Sequence, residues 1–143
     1  MTQRLTIRPC HSNECATVLN LWNEAGAIPS VTDSLDELMR LVRDNSDMFL
    51  VAESKGQIVG TVIAGWDGWR GNIYRLAVLP DYRRQGIGKA LVNKAERQLL
   101  VKGAKRISVL VAHEETLAVS FWDALLNAGY SQDSRIVRYA KTM

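Results

Sequence analysis

The segment from Val78 to Ala90, VLPDYRRQGIGKA, decides the fold more than any other part of this sequence. An apolar stretch predicted as a strand (Ile73 to Leu79) passes through a proline turn into two arginines. A Gly-x-Gly step at Gly86 and Gly88 then begins an amphipathic helix. The first amides of a helix have no acceptor inside it, and the helix dipole places about half a positive charge at that end. Because glycine allows a tight turn and leaves no side chain in front of these amides, the segment predicts a cradle for a phosphorylated ligand, most simply a diphosphate.

Three phosphate-binding patterns compete for this segment. The P-loop pattern G-x-x-x-x-G-K-[ST] fails because Arg83 stands at its first glycine and Ala90 replaces its hydroxyl residue. The Rossmann pattern G-x-G-x-x-G fails because Leu91 stands at its third glycine. The third pattern, (Q/R)-x-x-G-x-(G/A), is present as Arg83-x-x-Gly86-x-Gly88. It resembles the signature of the GNAT superfamily of acetyl-coenzyme A-dependent N-acetyltransferases, and the chain looks most similar to small bacterial members that resemble ribosomal-protein N-acetyltransferases.

This resemblance implies acetyl-coenzyme A as the cofactor. In the superfamily the loop and helix start hold the diphosphate of coenzyme A, and the pantetheine arm pairs like an extra strand with the backbone of the preceding strand. That pairing requires the strand to splay from its neighbour and leave main-chain groups unpaired. Here the matching strand positions are Leu76, Ala77 and Val78, with Val78 as the main expected backbone contact. The matching diphosphate positions are Arg83, Arg84, Gln85, Gly86, Ile87, Gly88 and Lys89.

Composition indicates one soluble globular domain over residues 1–143, with 47% hydrophobic and 23% charged residues. The net charge of +3, from 18 basic and 15 acidic residues, is mild, and no long basic run favours a nucleic-acid partner. No apolar stretch predicts a membrane span or a signal peptide, and no spacing predicts a metal site. Two cysteines, Cys10 and Cys15, are too few for a disulfide framework, so a cytoplasmic location is expected. A homodimer is left open.

Hydrophobic periodicity predicts the order β-α-α-β-β-β-α-β-α-β. This order predicts an α/β (α+β) fold with a mixed, mostly antiparallel central sheet and helices on both faces. It is also the order expected of the GNAT superfamily. In the second helix, opened by the capping box Ser34-x-x-Glu37, the apolar side chains Leu35, Leu38, Met39 and Val42 are expected to face inward. The predicted strands are Leu5–Arg8, Met48–Ala52, Ile58–Ala64, Ile73–Leu79, Arg106–Ala112 and Ile136–Lys141; the predicted helices span Ser12–Ala25, the segment after Ser34, Gly86 to Gly103, and Glu115–Ala128.

The catalytic side chains do not follow the superfamily pattern. An amine with a pKa near 10.4 is almost fully protonated at neutral pH, so acetyl transfer needs a base or a water chain. The glutamate of many members is matched by Asn72, which can orient a water but cannot accept a proton as a base. The helix tyrosine that often protonates the departing thiolate is matched by Trp122 or Leu125, and neither donates a useful proton. Tyr130 and Tyr74 are the nearest phenols and are the candidate catalytic residues; alignment of the reactants alone is the alternative.

The sequence therefore predicts an acetyl-coenzyme A-dependent N-acetyltransferase that acts on a primary amine of a small molecule, peptide or protein. The superfamily places the loop from Gly26 to Asp33 at the rim of the acceptor site, and Asp33, Asp36 and Glu37 would suit a cationic amine. Two other classes stay open. A non-catalytic acyl-coenzyme A sensor would keep the cradle without the chemistry, and a nucleic-acid binder would use the Arg83-Arg84 helix end and bind in a strongly salt-dependent way.

Overall fold

The computed structural model describes residues 4–143, which form two compact units. The first unit ends at Val109 and the second runs from Leu110 to Met143. The strands of the first unit are β1 (Leu5–Pro9), β2 (Phe49–Ser54), β3 (Gln57–Trp66), β4 (Gly71–Val78) and β5 (Ile107–Val109); its α-helices are α1 (Cys15–Glu24), α2 (Leu35–Asp44) and α3 (Ile87–Lys102). The second unit contains α4 (Thr116–Asp123) and a 3-10 turn at Leu126–Ala128.

The sheet of the first unit runs in the order β1-β2-β3-β4-β5. The pairs β1–β2, β2–β3 and β3–β4 are antiparallel, whereas β4 and β5 are parallel and are joined through α3. A parallel pair needs such a crossover connection, and the helix that follows the glycine segment supplies it. The predicted mixed, mostly antiparallel sheet is confirmed.

Helices cover both faces of this sheet, as two consecutive residues of β3 show. A Cβ placed on Gly60 would lie 3.0 Å from Cδ1 of Leu91 in α3. The hydroxyl of the next residue, Thr61, accepts a 2.8 Å hydrogen bond from the indole nitrogen of Trp22 in α1. Because successive side chains of a strand point to opposite faces, α3 covers one face and α1 covers the other.

Helix α3 ends where the sequence predicts. Leu91, Val92, Ala95 and Leu99 are all buried, as expected for the apolar side of a helix packed on a sheet. Gly103 follows Lys102 with a left-handed φ of 107°, and its amide donates to the carbonyl of Leu100. Glycine adopts this helix-ending conformation without the steric cost of a Cβ, so its position in the sequence predicts where the helix ends.

The inward face predicted for α2 is only partly right. The hydroxyl of Ser34 accepts from the amide of Glu37, so the capping prediction is confirmed. Leu38 is buried, but Leu35 and Met39 are 45% and 43% exposed. The helix is therefore anchored along a narrower stripe than its apolar pattern predicts.

The strand predicted at Ile136–Lys141 is wrong. These residues have no regular secondary structure, and the side chains of Ile136, Val137 and Tyr139 are each at least 65% exposed. Alternation of apolar and charged residues makes a strand only where one face is buried against something, and no such face exists here. In residues 4–143 no helix is long and apolar enough to cross a bilayer.

Candidate active site

A β-bulge interrupts β4 just before the predicted coenzyme strand. Thr61 of β3 lies opposite Ala77, but Ile63, two residues later, lies opposite Tyr74, three residues earlier in β4. The strand therefore carries one extra residue, and Arg75 in the bulge has a left-handed φ of 51°. Bulges bend a strand and re-aim its side chains, so the second half of β4 takes a new direction at Arg75.

Just before the bulge, β4 ends its pairing with β5. The parallel pairing of the two strands covers Gly71 to Ile73 of β4 and ends opposite Val109. The rest of β4, residues 74–78, continues without a partner from β5. Within the described residues, the edge of β4 that faces away from β3 therefore has no strand partner here, and we call it the open edge. This is the splayed arrangement that the sequence analysis expected.

Hydrogen-bond alternation decides which main-chain groups face this open edge. The amide of Leu79 donates to the carbonyl of Val59 in β3 at 2.9 Å. In an antiparallel pair every second residue bonds to the partner strand, so the main-chain groups of Ala77 also face β3. Those of Leu76 and Val78 then face the open edge. Val78 can thus offer its amide to this edge, whereas the main-chain groups of Ala77 cannot reach it.

The turn after β4 aims a group of amides in one direction. Gly86 is left-handed with a φ of 82° and precedes the helical residue Ile87, a left-to-right-handed succession that forms an anion-binding concavity. The amide of Ala90 makes the first intrahelical bond, to the carbonyl of Gly86 at 3.0 Å. The amides of Ile87, Gly88 and Lys89 therefore have no acceptor four residues back within α3.

The side chains around this turn play different parts. The guanidinium of Arg83 donates to the carbonyls of Val78 at 3.1 Å and Ala25 at 2.9 Å, so it ties the end of β4 to the end of α1. Arg84 and Lys89 are exposed. The side chain of Ile87 is buried, so only its amide faces the cradle. Gln85 makes a long 3.5 Å bond to the carbonyl of Asp81.

Of the two candidate phenols, Tyr74 lies in the first unit on the bulged strand, with 45% of the residue exposed. A Cβ placed on Gly65 of β3 would lie 2.8 Å from Cε2 of Tyr74 and 3.7 Å from Cβ of Asn72. Tyr74 and Asn72 therefore share one face of the sheet. Gly65 is four residues from Thr61 along β3, so this is the face that α1 covers.

Tyr130 belongs to the second unit. Its ring packs edge-on against Trp122 with the ring centroids 4.9 Å apart, and its amide donates to the carbonyl of Leu125. The Trp122 ring in turn packs against Phe121. The aromatic step at the end of α4 is thus a small packed cluster that includes this phenol.

Two of the three acidic side chains expected to face a cationic amine are already paired with arginines. The carboxylate of Asp33 is paired with the guanidinium of Arg75, and that of Glu37 is paired with Arg40. Asp36 is exposed. Sequence reasoning missed the Arg75 contact; its signal was a charged residue inside the apolar run of β4.

The side chains with the largest pKa shifts lie outside this site. Burial raises the pKa of the Cys10 thiol to about 12, which leaves it protonated and unreactive. The guanidinium of Arg8 lowers the pKa of Glu14 to about 2. Within residues 4–143 no three His, Cys, Asp or Glu side chains come together as a metal site.

Comparison with known proteins connects this geometry to a family. The model of the acetyltransferase (GNAT) family matches residues 15–126. Acetyltransferase SG1711 of Sodalis glossinidius (strain morsitans) is 32% identical over 121 residues, which cover 85% of each chain.

Two solved structures show the same fold. The PaiA N-acetyltransferase of Thermoplasma acidophilum, in complex with coenzyme A, has a TM-score of 0.73 and 21% identity, covering 85% of this chain and 87% of that one. The aminoglycoside acetyltransferase HMB0005, from an uncultured soil metagenomic sample, has a TM-score of 0.68 and 27% identity, covering 98% of this chain and 99% of that one. The chain belongs to the acetyltransferase (GNAT) family.

Proposed function

We propose that this chain transfers an acetyl group from acetyl-coenzyme A to the primary amine of a small molecule. The observation that carries the proposal is the continuity of two features. The open edge of β4, at Leu76 and Val78, leads within a few residues to the amide-lined turn at Gly86. The open edge suits an extended arm that contains amides, and the turn suits a diphosphate.

The cofactor fits the polar groups of this region. The amides of Ile87, Gly88 and Lys89 would hold the diphosphate, with charge from the exposed Arg84 and Lys89 side chains. A Cβ on Gly86 would meet no atom within 4 Å, so the turn is not crowded at this position. Gln85 is a further hydrogen-bond donor at the rim.

Arg83 has two parts in this proposal. Its guanidinium carries five N–H donors, of which two bond to the carbonyls of Val78 and Ala25. These bonds hold the end of β4 at the mouth of the cradle. The positive charge remains beside the turn and would still attract a diphosphate.

The residues at the end of β4 would bind the pantetheine arm of the cofactor. The Leu76 and Val78 main-chain groups would pair with the pantetheine arm, while Ala77 contributes a small side chain that does not crowd it. When bound, acetyl-coenzyme A supplies an acyl group already activated as a thioester. The Val78 amide, which faces this edge as does that of Leu76, would polarise the acyl carbonyl, a contribution that is largest where water is excluded.

The proton donor in this proposal is a phenol. Tyr74 is favoured because it lies beside the bulge and is half exposed; Tyr130 is the second candidate. Asn72, on the face that Tyr74 shares, would orient a water that accepts the proton of the amine.

The amine acceptor is proposed to be small. HMB0005, which covers nearly the whole of this chain, is named as an acetyltransferase of aminoglycosides, which are small molecules. A peptide or protein amine is the alternative acceptor.

A cytoplasmic location, a homodimer and a single domain over residues 1–143 remain predictions from the sequence.

Two measurements test the proposal. Calorimetry with acetyl-coenzyme A tests the cradle, and release of free thiol in the presence of neamine, L-lysine, spermidine or a peptide with a free N-terminus tests the chemistry. We expect binding, and turnover that depends on a small amine. Binding without turnover of any amine would instead support an acyl-coenzyme A sensor, and turnover of the peptide alone would contradict a small acceptor. Absence of binding, together with salt-dependent DNA binding, would indicate a nucleic-acid binder.

A further inference from the structure

The guanidinium of Arg75 joins the bulge of β4 to the loop between α1 and α2. Its Nε donates to Oδ1 of Asp33 at 3.2 Å, and its Nη2 donates to Oδ2 of the same carboxylate. The same Nη2 donates to the carbonyl of Ile28 at 2.9 Å. One side chain therefore holds both ends of the segment from Ile28 to Asp33.

Asp33 also organises the loop from inside. Its Oδ2 accepts from the amide of Ser30 at 2.9 Å, and its own amide donates to the carbonyl of Ser30 at 3.0 Å. The carboxylate thus closes a turn and binds Arg75 at the same time. The side chains of Arg75 and Asp33 are only 21% and 15% exposed, so water screens this ion pair less than the pairs of the open surface.

The backbone of Arg75 is held as firmly as its side chain. A left-handed residue that carries a Cβ is sterically strained, and it persists only where its surroundings fix it. The Thr61 hydroxyl donates to the carbonyl of Arg75 at 2.9 Å, and the Trp22 indole donates to that hydroxyl at 2.8 Å. The guanidinium carbon lies 5.1 Å from the centroid of the Trp22 ring.

The place of this clamp matters for the reaction. Arg75 directly follows Tyr74 and directly precedes Leu76, the first residue with main-chain groups on the open edge. The loop it holds contacts the bulge on the sheet face covered by α1, and Tyr74 and Asn72 lie on that same face. The loop and these two polar side chains therefore lie on the same face of the sheet.

We propose that Arg75 is a positioning residue for the amine acceptor, and that it fixes residues 28–33 as one wall of the acceptor site beside Tyr74. The inference rests on the proposed acetyl transfer to a small amine. It also implies that Asp33 does not bind the ammonium group of the acceptor, because its charge is already paired with Arg75.

Three single variants, the double variant Arg75→Gly/Asp33→Asn and one control test this role. Arg75→Gly removes the side chain but keeps the left-handed backbone accessible, so the bulge itself is preserved. Arg75→Lys keeps the charge without the planar fork that binds a carboxylate through two atoms. Asp33→Asn removes the partner charge. Arg43→Gln is the matched control, since it breaks another Arg–Asp contact, with Asp44, on the exposed side of α2.

For the small amine that the wild type turns over fastest, we expect Arg75→Gly to raise KM about tenfold and to change kcat by less than about twofold. The Kd of acetyl-coenzyme A, measured by calorimetry, should stay within about twofold of the wild type. Hydrogen exchange of the amides at 28–33 should accelerate about tenfold, with the amides of β3 unchanged. Asp33→Asn should reproduce these effects, the double variant should add nothing further, and Arg75→Lys should recover part of the loss.

Three results would overturn the inference while leaving the proposed function intact. They are an unchanged KM for the amine, equal losses in amine KM and coenzyme affinity, or the same loss in Arg43→Gln. A wild-type protein that binds no acetyl-coenzyme A or turns over no small amine overturns the proposed function itself. The wild-type assay therefore separates the two failures.

Discussion

The ring of Tyr74 covers Gly65 on the neighbouring strand. A Cβ at position 65 would lie 2.8 Å from Cε2 of this ring, closer than two carbons approach without strain. Glycine is therefore what lets the ring lie against β3. In the proposed reaction Tyr74 donates the proton, so the glycine beneath its ring sets where its hydroxyl points.

We expect Gly65→Ala to lower kcat about tenfold, since the added methyl group displaces the ring from its present position. The measurement is a double-mutant cycle with Tyr74→Phe. If Gly65 acts through Tyr74, Gly65→Ala costs little further activity in the Tyr74→Phe background. Gly71→Ala is the control, because its methyl group would press on Leu99 on the opposite face of the sheet. A full loss in both backgrounds would show that Gly65 has no connection to the phenol.

Gly86→Glu should abolish binding of coenzyme A while the fold persists. A carboxylate in front of the α3 amides repels a diphosphate and occupies its space. Gly56→Glu is a close match, because Gly56 also has a left-handed φ, 76° against 82°, and open space around its Cβ position. Both variants carry the same backbone strain, but only one changes the cradle. Calorimetry should register coenzyme A binding by Gly56→Glu and not by Gly86→Glu; equal binding by both would argue strongly against the assignment.

Local patterns predicted much of this fold. The strand before the glycines, the helix after them and the glycine stop at Gly103 are each fixed by neighbouring residues, so the sequence shows them directly. The prediction of the terminal strand was wrong because neighbouring residues alone do not fix a strand. Ile136–Lys141 has strand-like alternation, but a strand depends on a partner elsewhere in the chain, and alternation does not reveal whether one exists.

The candidate site likewise has one part that the local sequence predicts and one part that it does not. The cradle residues carry a motif, whereas the Arg75–Asp33 clamp joins positions 42 residues apart and depends on a backbone φ that favours glycine. Nothing in the local sequence indicates that an arginine takes that conformation. The open edge of β4 lies beside the same bulge, and the family resemblance, not periodicity, anticipated it.

Thr61→Val should lower the free energy of unfolding by about 1–3 kcal/mol, the usual cost of leaving a buried donor without its partner. Thr61 is fully buried, and its hydroxyl both accepts from the Trp22 indole and donates to the Arg75 carbonyl. Valine has nearly the same shape, so the loss isolates the hydrogen bonds. Urea unfolding measures the effect. Thr6→Val, at an exposed position of β1, should be close to neutral, and a similar loss there would show that the network adds nothing specific.

The stabilising contribution of Glu14 should disappear in acid. Its carboxylate binds the Arg8 guanidinium at 2.7 Å and accepts from the His11 amide at 2.9 Å, and its pKa falls from 4.5 to about 2. A carboxyl with a lowered pKa in the folded state stabilises the protein fully above the unfolded-state pKa. That contribution is lost as the pH falls from about 4.5 towards 2, because the unfolded chain takes up the proton first.

Glu14→Gln tests this pH dependence, since glutamine can still accept from the His11 amide but carries no charge. We expect it to lower the free energy of unfolding by about 1 kcal/mol at pH 7, with the difference from the wild type shrinking below pH 4.5. Urea unfolding at pH 7, 4 and 3 gives the curve, and Glu24→Gln, at an exposed position near the end of α1, is the control. A difference that stays constant from pH 7 to pH 3 would mean that the Arg8 contact does not stabilise the ionised carboxylate, and that the defect comes from packing alone.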